Sequence, residues 1–392
     1  MQEENISLDE LIADVNDCLR RTEHSSFDDD LDLIPPPTKK RTGLNKVLTA
    51  FATVFILLLE TVLLLVGALY GTMFVVAKGP STTARNLFVR SVRETSAVGF
   101  LANLFYSEEE IQQIVGDSSI VPDYDETDSS LIQIPQPKPD DPTNSDKPTA
   151  DAWGLIDEDG DGIIVEKVTG EGYYGYMMVV LDPSRVIMGS VPESYGGRGY
   201  TVEQFVDKFD AVAGINGGGF HDPDGKGNGS IPDTMVVYEG HIYYAENGSG
   251  RGFAGFDSNH ILHVGNFTQE QIREKDIQYG VCFGPVLVVN GEAVDPAILD
   301  SGVNPRTAIG QRSDGAVLML VINGRQFDSL GATYEDLAEI FLAYGAVNAC
   351  NLDGGSSSMM WYNGEYINNS ASVIGIRPIP TSFLVLKEGN NP

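Results

Sequence analysis

Apolar positions change their spacing several times along this chain, and each change marks a different kind of element. Residues 1–46 are polar and charged, and "SSFDDDLDLIPPPTKKR" has neither helical nor strand period, which predicts disorder. From Val47 to Tyr70 the run "VLTAFATVFILLLETVLLLVGALY" is broken by one charge, Glu60. At ~1.5 Å per residue it reaches about 36 Å, more than a hydrocarbon core of about 30 Å. The run starts too far into the chain and is too long for a cleavable signal peptide, so an uncleaved transmembrane signal anchor over residues 47–76 is expected. Glu60 should be neutral or face another helix, which leaves self-association through the span open. Basic residues flank both ends, Lys39, Lys40, Arg41 and Lys46 before it and Lys78, Arg85, Arg90 and Arg93 after it, so their count sets no orientation.

Helical spacing returns in residues 86–115, predicting a juxtamembrane helical region over 77–120. Residues 121–150 carry six prolines among Asp, Ser and Thr, the composition of a semi-extended linker. The remainder, 151–392, is expected to be one globular domain. Short β-type runs such as "YYGYMMVVL", "TMVVYEGHIYYA" and "AVLMLVING" alternate there with Gly-rich turns. Two helices interrupt them. Thr333 and Asp336 stand at capping-box spacing before Leu337, Ile340, Phe341 and Tyr344, with Gly345 as the stop; Thr201 and Gln204 open the other. Each helix feeds a short apolar run ending in glycines, "AVAGINGGGF" and "AVNACNLDGG". The pattern predicts an α+β domain with a mixed β-sheet, hairpins and packed helices, its two glycine loops converging on one cleft.

Charge narrows the function. With 56 acidic against 25 basic residues, a net −31, the chain lacks the footprint of a nucleic-acid binder. Three cysteines, Cys18, Cys282 and Cys350, exclude a disulfide framework and leave a Cys282–Cys350 bridge open. "DEDGDG" at 157–162 begins like a calcium loop but has Val168 where the last ligand belongs, so a turn into the first strand is expected and no metal ligand is assigned.

Candidate chemistry gathers in three places. Asp353 precedes Gly354, Gly355 and Ser356, a carboxylate beside backbone that a ligand can approach closely. Asn216, Gly217, Gly218, Gly219 and Phe220 form a second Gly-rich loop, followed by His221 and Asp222. "NPRTAIGQ" and "INGRQFDSLGAT" place Arg306 and Arg325 at turns, and guanidinium groups bind phosphate bidentately.

Together "INGGGF", "NPRTAIGQ", "INGR", "SLGATYEDLAEIFLAYGAVNACNLDGGSSS" and "IRPIPTSFLV", in this order over about residues 153–387, resemble the phosphodiester glycosidase family, and the N-terminal part resembles its membrane-anchored bacterial members. The chain departs from that pattern at Asn323, where an Asp is usual, and in "DGGSSS", where many relatives carry a third glycine. The resemblance implies an extracytoplasmic, single-pass hydrolase of the cell membrane, with residues 1–46 as a cytoplasmic tail. Its implied substrate is a GlcNAc-like sugar linked to a phosphodiester in an envelope or exopolysaccharide phosphoglycan. It further implies that Arg306 and Arg325 hold the phosphate, that Asp353 acts at the anomeric carbon, and that Asn216, Asn351 and Ser356 orient sugar hydroxyls. No cofactor is required, with a divalent cation the one alternative. The competing functions are a non-catalytic glycan-binding module and a metal-assisted phosphodiesterase built on Asp353, Asp222 and His221.

Overall fold

The computed structural model describes residues 43–95, 98–116, 122–135, 150–222, 227–243, 252–372 and 375–389. Of the expected tail, 1–46, residues 1–42 lie outside them, as does the second half of the linker, 136–149, while residues 43–46 are the first turn of a helix. The chain divides into two units, Met1–Leu69 and Tyr70–Pro392.

In the first unit the described residues are the larger part of a helix, Gly43–Lys78, whose apolar side chains from Val47 to Leu69 stand exposed, Phe51 at 72% and Leu64 at 75%. By length and composition this helix is able to cross a membrane.

In the second unit, Ala77, Val89, Ala102, Phe105, Tyr106 and Ile111 form a small core between the end of that helix and three short ones. Of these, Thr82–Arg93 is capped by Ser81, and Glu108–Val115 carries a full Ser107/Glu110 capping box. The Pro-rich segment departs from the semi-extended expectation over residues 122–135, which lie along the domain. Thr127 Oγ1 donates to Val264 O (3.1 Å), Asn290 Nδ2 to Glu126 O (3.0 Å) and Gln133 N–H to Ser313 O (2.7 Å), while Ile132 packs with Ile261 and Val347. Two isoleucines and a threonine amid the prolines suffice to pin it.

Seventeen strands follow: β1 (Ile163–Gly170), β2 (Tyr173–Val180), β3 (Val186–Ser190), β4 (Ala211–Asn216), β5 (Val236–Tyr238), β6 (His241–Tyr243), β7 (Phe253–Asp257), β8 (Leu262–Gly265), β9 (Ile277–Cys282), β10 (Val286–Val289), β11 (Glu292–Ala293), β12 (Arg306–Arg312), β13 (Val317–Ile322), β14 (Ala346–Leu352), β15 (Met360–Tyr362), β16 (Glu365–Tyr366) and β17 (Thr381–Leu386). They form three sheets, ordered β1-β2-β13-β12-β14-β10-β11, β16-β15-β4-β17-β3 and β6-β5-β9-β7-β8. The α+β class is as expected. The single mixed sheet is not: among the described residues every strand ladder is antiparallel. The reason is that the Tyr334–Ala343 helix crosses from β13 to β14 over β12, so the two strands that run alike are not neighbours.

All three sheets contribute to one core that includes Met178 and Met319, Ile215 and Phe383, and Phe256 and Val281, with the Phe256 and Phe383 rings 6.2 Å apart. Alternation along β13 sends Met319 and Val321 into it and Leu318 and Leu320 to the other face, against Leu337, Ile340 and Phe341 of the crossover helix. The Val202–Lys208 helix covers the second sheet in the same way, through Phe205 and Val206 on Ile187 and Leu384. Both capping boxes form as the spacing predicts, and Gly345 closes its helix at φ 77°, where an added Cβ would stand 2.1 Å from Trp153 Nε1.

Candidate active site

β4 and β14 belong to different sheets, and both end at the same place. Asp353 N–H donates to Gly217 O (3.1 Å), and Asn216 Nδ2 donates to Asp353 O (2.6 Å). Asn216 Oδ1 accepts from Thr307 Oγ1 (2.8 Å) and Met359 N–H (3.1 Å). Thr307 is placed for this because it pairs with Leu352 across the β12–β14 ladder. Asn216, fully buried, is therefore the strut that joins the two loops rather than a free hydroxyl binder.

The glycines of the first loop answer to the protein and not to an open cleft. A Cβ on Gly217 would lie 2.6 Å from Thr381 Oγ1, on Gly218 3.0 Å from Val281 Cβ, and on Gly219 3.0 Å from the Phe283 ring. All three are buried, as is Phe220, over which the Arg377 guanidinium stacks at 4.9 Å. Gly217, Gly218 and Phe220 are thus packed closely against the protein's own residues. In the second loop Gly354 abuts Pro305 O, and Gly355 has φ 61° and lies against the Arg325 guanidinium.

Asp353 sits half-buried between these loops. Burial is the main cause that pushes its carboxyl up to about 7; the charges of Asp222 and Asp233 push the same way, and a Ser357 hydrogen bond and the Arg377 charge oppose them. Arg377 is the principal residue that sequence reasoning missed. Its guanidinium grips Asp222 bidentately (2.7 and 2.7 Å) and donates to Ser356 Oγ (3.2 Å) and Gly227 O (3.2 Å). Although burial opposes it, that grip holds the Asp222 carboxyl below the usual carboxylate range. Its signal is the arginine inside "IRPIPTSFLV", a segment that carries the family resemblance but in which no site residue is expected.

The two predicted arginines part company. Arg306 is 5% exposed under the Tyr334 ring; its Nε donates to Ala332 O, and its Nη2 to Gly302 O (2.6 Å) and to the Glu94 carboxylate (2.8 Å). An anion already sits on it, which corrects the expectation of an open phosphate arm. Glu94 belongs to the juxtamembrane segment and also accepts from Gly302 N–H and Asn304 Nδ2. Arg325 stays solvent-exposed at the rim, its Nη2 donating to Thr95 Oγ1 (2.7 Å) and Asn304 Oδ1 (3.0 Å).

Three buried polar atoms near strand ends have no hydrogen-bond partner among the described residues: Asn323 Nδ2, Asn351 Oδ1 and Ser358 Oγ. Asn351 Nδ2 is spent on Gly284 O (2.8 Å), while Asn323 and Ser358 share Asn368. Such orphaned groups are costly unless a ligand or water meets them. Cys282 and Cys350 are both buried and are not joined in a disulfide, and burial raises the Cys350 thiol. Asp157, Asp159 and Asp161 bring their carboxylates within 4.8 Å of one another on the turn into β1, where Asp157 caps Gly160 and Gly162. With Asp222 held by Arg377, the predicted metal set of Asp353, Asp222 and His221 is not assembled among the described residues.

Residues 209–386 match the family model described as phosphodiester glycosidase. A curated relative, the SPbeta prophage-derived uncharacterized protein YomE of Bacillus subtilis (strain 168), is 48% identical over 66 residues, which are 17% of this chain and only 10% of that protein. Among solved structures, the zebrafish N-acetylglucosamine-1-phosphodiester alpha-N-acetylglucosaminidase catalytic domain, auto-inhibited by its pro-peptide, aligns at 20% identity and TM-score 0.47, covering 58% of this chain and 82% of that one. A hypothetical protein from Synechocystis aligns at 15% identity and TM-score 0.41, over 58% of this chain and 62% of its own.

Proposed function

Since residues 209–386 match the phosphodiester glycosidase family model, we propose that this chain hydrolyses the bond between the anomeric carbon of a GlcNAc-like sugar and a phosphodiester. The substrate is a phosphoglycan of the cell envelope, reached outside the cytoplasm from a membrane anchor. One observation carries this reading: the half-buried Asp353 carboxyl stands where two glycine loops from different sheets are tied together, with arginines on either side.

The chemistry fits those groups. A phosphate monoester leaves readily, so the site must mainly hold an anion and stabilise positive charge at the anomeric carbon. The exposed Arg325 at the rim takes the phosphate. Arg377, neutralised by Asp222, orients Ser356 beside the sugar. Asp353 in its ionised form faces the oxocarbenium-like centre, and Ser356 Oγ, to which Arg377 donates, meets a sugar hydroxyl.

The test is incubation of the full chain with a GlcNAc-1-phosphodiester in ¹⁸O-water, with and without chelator. Free sugar that carries the label, made equally with chelator, supports glycosidase chemistry. Label in the phosphate with release of sugar phosphate, abolished by chelator, replaces it with a metal-dependent phosphodiesterase. Binding without turnover replaces it with a glycan-binding module.

A further inference from the structure

Glycosidases generally work with two carboxylates, and the chain supplies a second one that makes no hydrogen bond or ion pair among the described residues. Asp233 follows Pro232, which bridges to Phe220, and its N–H donates to Gly219 O (3.1 Å). Its Oδ2 comes within 3.4 Å of where a Cβ on Gly219 would stand. Asp353 N–H, on the other side, is bonded to Gly217 O. The three-glycine loop thus has one of these two aspartates bonded at each end, and the Asp233 charge acts on the Asp353 carboxyl.

The other ionisable groups at this place are accounted for. Asp222 is held bidentately by Arg377, and His221 is exposed. Asp233 is half-buried, and among the described residues its carboxylate has no hydrogen bond or ion pair. Burial holds its carboxyl above the ordinary range, with the nearby Asp222 charge adding to this and His221 opposing it, and its own charge contributes to the raised Asp353. A half-buried carboxylate without a structural partner is an expense that stability alone does not explain.

We propose that Asp233 is the second catalytic carboxylate, the base that takes a proton from the attacking water. The step rests on the hydrolysis proposed above. The water oxygen bonds to the anomeric carbon and its proton passes to the Asp233 carboxylate. The bond from that carbon to the phosphate oxygen breaks, and the electron pair leaves on the phosphate. The products are the free sugar and a phosphate monoester.

The experiment compares full-length wild type, Asp233→Asn and Asp233→Ala on a GlcNAc-1-phosphodiester, with and without sodium azide, alongside melting curves. Expected is a fall in kcat of at least ~100-fold in both variants with melting unchanged. Azide needs no deprotonation, so it should restore turnover in Asp233→Ala and appear in the product as a glycosyl azide, leaving wild type unaffected. Near wild-type turnover in Asp233→Ala overturns the assignment while the glycosidase reading stands. So does a loss that azide does not restore, since that marks a structural role. No free sugar from wild type overturns both.

Discussion

The chain builds the same unit twice, a capped helix, a buried strand and a glycine loop, and uses the two copies differently. After β4 the loop is all backbone: its three glycines let the chain press against Thr381, Val281 and Phe283, and it offers carbonyls to its neighbours. After β14 the loop carries Asp353, Ser356 and Ser357, side chains that chemistry can use. The first loop is a mount and the second is what it mounts. A run of glycines beside a candidate site is therefore weak evidence of ligand approach until the space around each one is known.

The sharpest break in that division is Asp353→Asn. It should lower kcat about 10³-fold, roughly 4 kcal/mol of transition-state stabilisation, with KM little changed in steady-state kinetics. Next comes Asn216→Ala, which leaves Thr307 Oγ1, Met359 N–H and Asp353 O without their partner; unfolding in urea should show a loss of about 2–4 kcal/mol. Gly217→Ala drives a methyl to 2.9 Å from the Thr381 carbonyl oxygen as well as onto its hydroxyl, and should cost about 1–3 kcal/mol by the same measurement. Gly355→Ala meets only the movable Arg325 and a φ of 61°, so about 1 kcal/mol is expected. If both glycine variants cost the same, the contrast between mount and working loop fails.

A pH series sharpens it further. The fold raises the Asp353 carboxyl from 3.8 to about 7, so the folded state binds more protons between those values. Its contribution to stability is whole below the lower value and declines as pH rises toward the upper one. Asp353→Asn should then melt higher than wild type at pH 8 and about equally at pH 4, as calorimetry would show.

Local order was well marked along the chain. Capping boxes at Thr201 and Thr333, the stop at Gly345 and the convergence of the two glycine loops all follow from spacing, because caps and apolar faces are properties of a few adjacent residues. What spacing could not convey was long-range. The partition of the strands into three sheets depends on which edges meet, and Arg377, Asp233 and Glu94 acquire meaning only from partners more than a hundred residues away, or from the lack of one. Arg306 and Arg325 look alike in sequence, each beside a turn. One is enclosed by Tyr334, Gly302 and Glu94, and the other reaches solvent.

The hold of Glu94 on Arg306 also bears on shedding. Proteolysis anywhere between Thr95 and the first strand would free the globular part from its apolar helix, yet it would also withdraw the counter-ion of a 95%-buried guanidinium and the acceptor for Gly302 and Asn304. A buried cation that loses its partner costs several kcal/mol. A form cut loose from that helix would therefore be weakened by the cut that released it.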